Sequence, residues 1–122
     1  MLLKDFYKVN ELNYDNGQAN ANITINKNHE VFKGHFPDNP VTPGVCMMQI
    51  IKELTEQVIC KKLFMVSASN VKFMAIINPE ENPNLDLTLI ISETENGYRV
   101  KNTTAFGDTM ALKLTTNYKI VQ

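Results

Sequence analysis

The chain has 122 residues, 43% of them hydrophobic, and its 12 basic and 13 acidic side chains leave a formal charge of −1. That size and balance suit one globular domain over residues 1–122, and no run of like charge marks a nucleic-acid or anionic-membrane surface. No apolar stretch is long enough to span a bilayer, and the opening MLLKDFYKVN lacks the basic start and apolar core of a secretory signal, so a cytosolic location is the default expectation.

The N-terminal third reads as β. Over residues 19–26, Ala19, Ala21, Ile23 and Ile25 alternate with Asn20, Asn22, Thr24 and Asn26, the period of a strand with one dry face. Asn16-Gly17 just before it is a hairpin signal, which makes residues 6–12 the partner strand. Residues 27–43 break the pattern. They hold Gly34, Pro37, Pro40 and Pro43, and each proline biases its predecessor away from helix, so this is a loop held in shape by proline.

A helix is expected over residues 44–59. Its first half is apolar all round (Val45, Cys46, Met47, Met48, Ile50, Ile51), interrupted only by Gln49, and belongs inside a protein or its assembly. Its second half is amphipathic, with Leu54, Val58 and Ile59 against Lys52, Glu53, Glu56 and Gln57. If Cys46 and Cys60 both lie on this helix, 14 positions apart, about 21 Å separates them. They cannot then bridge within one subunit, and both read as small core or surface residues. No histidine, cysteine or carboxylate spacing suggests a metal site.

The rest is β again. Residues 65–77 form a long apolar strand ended by Asn78-Pro79, and residues 80–84 a polar loop. Leu85, Leu87, Leu89 and Ile91 then alternate with Asp86, Thr88 and Ile90. Asn96-Gly97 turns the chain into residues 98–106, and Gly107-Asp108 turns it again. The last strand, residues 110–121, puts Met110, Leu112, Leu114, Tyr118 and Ile120 on one face. Five or six antiparallel strands with one apolar helix between them make an α+β architecture, a curved sheet wrapped around a central helix.

The segment Gly34-His35-Phe36-Pro37-Asp38-Asn39-Pro40-Val41-Thr42-Pro43-Gly44-Val45 resembles the signature G-H-F-P-x-x-P-V-x-P-G-V of the β-hydroxyacyl-[acyl-carrier-protein] dehydratases, and every defining position matches. Val71-Lys72-Phe73 and the closing hairpins through Phe106-Gly107-Asp108 also sit where that family has them, while residues 1–17 are only weakly similar. The resemblance implies a hotdog fold and lyase activity on β-hydroxyacyl thioesters, in acyl-chain metabolism of the fatty-acid type. It implies an acyl carrier protein or CoA as carrier, and no metal or redox cofactor. It also implies at least a dimer, with edge strands paired into one continuous sheet, and a pantetheine arm in a tunnel between subunits lined by Phe36, Met47 and Met48.

The chemistry asks for such a motif. Removing a C2 proton from a thioester needs a base and something to hold the enolate character that develops on the carbonyl oxygen. Backbone N–H groups at a helix start can do the second, here Gly44 and Val45, with Pro43 at the turn into the helix and glycine allowing close approach. His35 is the candidate base at neutral pH. His29 has no such context and reads as a loop histidine.

The family places a carboxylate 14 residues after the motif histidine to protonate the departing hydroxyl, and here that position is Gln49. Glutamine can orient water or hold a hydroxyl but has no proton to give. An acid is worth roughly 10² to 10⁴ in rate, so ordinary dehydration should be impaired. Glu53 lies one turn further on, about 6 Å along the axis, and Asp38 and Glu30 lie in the loop; none is an evident replacement. A buried amide must in any case be partnered, so Gln49 either lines the site or bonds to its surroundings as structure. Three functions therefore stand in order: a dehydratase-like lyase with His35 as base, a non-catalytic or partner subunit forming a heterodimer with an active relative, and a hotdog thioesterase.

Overall fold

The computed structural model describes residues 5–32 and 42–121. Strands β1 (Tyr7–Asp15) and β2 (Gln18–Ile25) form a hairpin, and a 3-10 turn (Glu30–Phe32) follows. Helix α1 (Gly44–Ile59) comes next, then β3 (Leu63–Phe73), β4 (Asn84–Glu93), β5 (Gly97–Phe106) and β6 (Thr109–Ile120). The six strands make one antiparallel sheet in the order β1-β2-β4-β5-β6-β3, so β1 and β3 are its edges. The expected α+β arrangement of one helix against a wrapped sheet is observed, and α1 begins and ends at the expected residues.

Alternation explains which side of the sheet is dry. Ala19, Ala21, Ile23 and Ile25 of β2 and Leu85, Leu87, Leu89 and Ile91 of β4 face inward. They meet Cys46, Met47, Ile50, Ile51 and Leu54 of α1 in one core, where each large apolar side chain contributes about 1.5–3 kcal/mol by leaving water. Between them, the outward residues of β2 and β4 bond to one another and to β1. Asn10 Nδ2 donates to Asn22 Oδ1 at 2.8 Å, Asn22 Nδ2 to Asp86 Oδ1 at 2.9 Å, and Thr24 Oγ1 to Asn84 Oδ1 at 2.7 Å. Asn16 and Gly17 both have positive φ, 50° and 80°, the type I′ geometry that the dipeptide favours.

Three details differ from the expected pattern. In β6 the core takes Ala111 beside Leu112, and Met110 is exposed. The register slips between the pairs Thr104–Leu112 and Ala105–Met110, leaving Ala111 as the extra residue of a bulge, so the alternation shifts by one. Strand β3 stops at Phe73 rather than running to 77. Met74 and Ala75 both donate to the bulged Ala111 carbonyl, and Ile77 O accepts from Thr42 N–H at 2.9 Å, tying the strand's exit to the approach of α1. Gly97 lies within β5 instead of in the turn, and a Cβ there would run into the Tyr118 carbonyl and the Lys119 Cα.

Strand β3 is the least covered part of the structure. Phe64, Met65, Val66, Val71 and Phe73 are exposed along it, with Met74 and Ile76 just beyond. Two bulges interrupt its pairing with β6, and Asn70 takes φ 53° inside the second. The outer face of β5, β6 and β3 is basic. Those three strands carry Lys72, Arg99, Lys101, Lys113 and Lys119, all exposed, and no aspartate or glutamate. Among the described residues no helix is long and apolar enough to cross a membrane.

Tyr118 is buried on the inner face of β6, and burial, helped by the Glu56 charge, pushes its phenol up to about 12. A tyrosine in the unfolded chain ionises near pH 10, so above that pH the unfolded state loses its proton first and the folded state loses stability through pH 12. The thermal midpoint should therefore fall between pH 9 and pH 11 (about one unit either side of the free phenol), and Tyr118→Phe should flatten that fall. A second expectation follows from Gly97: Gly97→Ala should cost about 1–3 kcal/mol by overpacking, read as a lower midpoint in a thermal melt at pH 7.

Candidate functional site

The site begins where α1 starts. Pro43 caps the helix in extended geometry, φ −62° and ψ 146°, with no side-chain cap. Its carbonyl accepts from the amides of Cys46 at 3.0 Å and Met47 at 3.2 Å. The amides of Gly44 and Val45 come earlier in the first turn and have no acceptor among the described residues. They carry the positive end of the helix dipole. Val45 is 74% exposed. Gly44 packs closely on its other side, where a Cβ would sit 3.0 Å from Cζ of Phe73 and the ring would have to shift slightly. Thr42, Pro43, Gly44, Phe73, Met74 and Ile77 line a groove of about 480 Å³ at this point.

Of the other residues singled out by the motif, His35, Phe36 and Asp38 lie outside the described residues. Met48 is half-buried and shares a second groove, about 360 Å³, with Val45, Gln49, Lys52, Phe64 and Met65. Met47 is fully buried in the core and cannot line a ligand tunnel. Glu30 is exposed on the 3-10 turn. His29 is a packed loop residue: its Nδ1 accepts from Val31 N–H at 3.1 Å, and its ring meets Phe6 edge-on at 5.2 Å.

Gln49 is not loose. Its Nε2 donates to Glu53 Oε2 at 2.9 Å, and Glu53 Oε1 accepts from the Tyr7 hydroxyl at 2.8 Å. Glu53 is only 8% exposed, and among the described residues no cation pairs with it. Its two oxygens are satisfied by two neutral donors from different elements, β1 and α1. The spacing explains the first contact, since residues four apart share a helix face and side chains lean toward the N-terminus. Burial first, then the hydrogen bond to Glu53 and the charges of Glu53 and Glu56, push the Tyr7 phenol well above its usual range. Tyr7 is the donor in this contact. Gln49 Oε1, at the position where the family carries its acid, has no donor among the described residues.

Glu53 and Tyr7 complete the site in a way the sequence does not announce. Glu53 was visible as a carboxylate one turn beyond Gln49. Tyr7 lies in the stretch with the weakest family similarity, and only the sheet order brings β1 across to α1. A groove of about 600 Å³ runs past Gln49, Lys52, Glu53, Glu56, Lys61 and Lys62. Within it Glu56 Oε2 accepts from Leu63 N–H at 2.8 Å.

Comparison with known proteins agrees with this reading of the fold. The family model of the ApeI-like proteins, described as ApeI dehydratase, matches residues 11–111. Among curated relatives, the 3-hydroxyacyl-[acyl-carrier-protein] dehydratase FabZ of Rickettsia canadensis is 30% identical over 67% of this chain and 61% of its own length. FabZ of Levilactobacillus brevis is 29% identical over 85% of this chain and 74% of its own. The chain thus spans about three-fifths of the length of the first of these. Among solved structures, the dehydratase heterocomplex ApeI:P from Xenorhabdus doucetiae superimposes with a TM-score of 0.79 at 18% identity, covering 92% of this chain and 96% of that one. A hypothetical thioesterase with coenzyme A from Streptococcus pneumoniae gives 0.70 at 7% identity, over 97% and 89%. At those identities the structures speak for the hotdog fold, and the family match over most of the chain speaks for descent: this chain belongs to the ApeI-like dehydratase family.

Proposed function

We propose that the chain is a dehydratase-type subunit that takes β-hydroxyacyl thioesters from an acyl carrier protein or CoA, and that its own helix does not supply the acid. The observation that carries this reading is the committed amide of Gln49, 2.9 Å from a buried glutamate, at the position of the family's carboxylate. The amides of Gly44 and Val45 have no acceptor among the described residues and lie beside grooves lined by Pro43, Met48 and Phe73, which supports a role in polarising a thioester carbonyl.

The reaction then runs as follows. His35 takes the C2 proton, and the C2–H electron pair becomes the new C2–C3 double bond. The C3–O bond breaks, and the departing hydroxide leaves as water after receiving a proton. Phe36 lies beside His35 in the sequence, where it would border the acyl chain. Gln49 accepts a hydrogen bond from the substrate hydroxyl but cannot protonate it. The proton comes back from His35 or from a carboxylic acid on another subunit.

A partner with its own helix acid would complete one full site, because family sites draw the histidine and the acid from different subunits. The uncovered apolar edge of β3 and the exposed Val45 favour such an assembly, homomeric or heteromeric. The resemblance to a dehydratase heterocomplex supports the heteromeric form.

The test is an assay for the conjugated enoyl thioester formed from a short β-hydroxyacyl thioester. The purified chain alone should be slow, and His35→Ala should remove what activity there is. Gln49→Glu should raise the rate by about 10² to 10⁴. Its new carboxyl would lie within bonding distance of Glu53, where two carboxylates share a proton and one stays protonated near neutral pH. Mixing with an acid-bearing relative should give a comparable gain without mutation. Release of free thiol instead would mark a thioesterase, and no product from either variant or the mixture would overturn the dehydratase reading.

A further inference from the structure

The contact that holds Gln49 also fixes which way its carboxamide faces. A glutamine side chain can bond through either end, as a donor or as an acceptor. Here the donor end is held by Glu53 Oε2, and Glu53 is itself held from the far side by Tyr7, 46 residues away in the sequence. Turning the amide over would set its oxygen against a carboxylate oxygen. That is a repulsive contact in a largely dry place, since Glu53 is 8% exposed and has no compensating cation among the described residues.

Resting on the reading of the site as one for acyl thioesters, we propose that Glu53 and Tyr7 are positioning residues that lock Gln49 with its Oε1 toward the ligand, so that the site selects acyl groups bearing a hydroxyl at C3. Gln49 borders the groove that also contains Val45, Met48, Lys52, Phe64 and Met65, whose walls are mostly apolar apart from Gln49 and Lys52. Val45 stands one helical turn before it, about 6 Å along the axis. A carbonyl held by the first-turn amides therefore leaves the C3 substituent facing Gln49. A hydroxyl there meets an acceptor. A saturated chain leaves that acceptor without a partner, and a site built around a polar group disfavours a ligand that cannot satisfy it. The enoyl product has no hydroxyl either, so the same lock favours its release.

The alternative is a tie of purely structural value, in which Tyr7 anchors the edge strand β1 to the helix. The two differ in what a substitution does to selectivity. Glu53→Gln keeps the size of the side chain but allows the two amides to pair either way round, which frees Gln49 to rotate. Tyr7→Phe leaves the Glu53–Gln49 contact but removes the brace behind it.

The experiment measures binding, without turnover, of pantetheine analogues in which an amide replaces the thioester. One carries a C3 hydroxyl and its matched control is saturated at C3. The wild-type chain should bind the hydroxylated analogue about tenfold more tightly, the effect of one hydrogen bond. Glu53→Gln should reduce that ratio to about twofold or less, largely by improving the affinity for the saturated analogue, and Tyr7→Phe should fall between. Thermal melts of each variant report the structural cost separately. If Glu53→Gln does not fold, the Tyr7→Phe ratio decides the question. Melting points that drop with an unchanged ratio would overturn the lock but leave the acyl-thioester reading standing. No binding of either analogue would overturn both.

Discussion

A helix whose first two turns carry one polar side chain is stabilised by cover on every side, and a six-stranded sheet covers only part of its circumference. The rest of the structure follows from that mismatch. Cys46, Met47, Ile50 and Ile51 turn into the sheet and vanish from solvent, while Val45 and, in part, Met48 turn outward beside Phe64 and Met65. The outward side is where the first-turn amides lie that have no acceptor among the described residues, and where the chain that approaches the helix is tied to the exit of β3 through Thr42 and Ile77. The apolar surface left over by the fold thus lies beside the polar start of the helix.

The second constraint is the buried carboxylate. Glu53 is kept off solvent with no cation beside it among the described residues, and two neutral donors hold it instead. Leaving a charged group buried with a lost donor is costly, which makes the trio hard to alter one member at a time. Its cost falls on the chemistry. The amide that satisfies the glutamate sits where a dehydratase acid would stand, so stability of the layer and proton donation compete for the same helix face.

Much of this was readable in the residues, and what was not has a physical cause. The two strands β2 and β4 alternate without a break because each has one dry face and no bulge, and α1 is bounded by a proline at its start and by Cys60 in left-handed geometry at its end. The Ala111 bulge was hidden because one added residue shifts the alternation without changing composition. Gly97 read as a turn residue, yet its role is to let β5 lie against the Tyr118 carbonyl, a contact that exists only once β6 is in place. Tyr7 could not be recognised for the same kind of reason, since its partner is 46 positions away and meets it only through the sheet order. Gln49 was recognisable as a departure from a known pattern, but the direction of its amide belongs to Glu53.

The basic outer face of β5, β6 and β3 restricts what can lie beside the open edge. A second copy joined across β3 would bring its own Lys72, Lys113 and Lys119 next to the first set, with no carboxylate on the intervening strands. At about 4.8 Å per strand the two β6 rows would lie roughly 14 Å apart, near enough to repel at low salt and largely screened at high salt. A relative whose edge strands are neutral or acidic on that face meets no such opposition. In any such pairing the charge on that face would oppose a second copy more than a neutral or acidic sheet, and more sharply at low ionic strength.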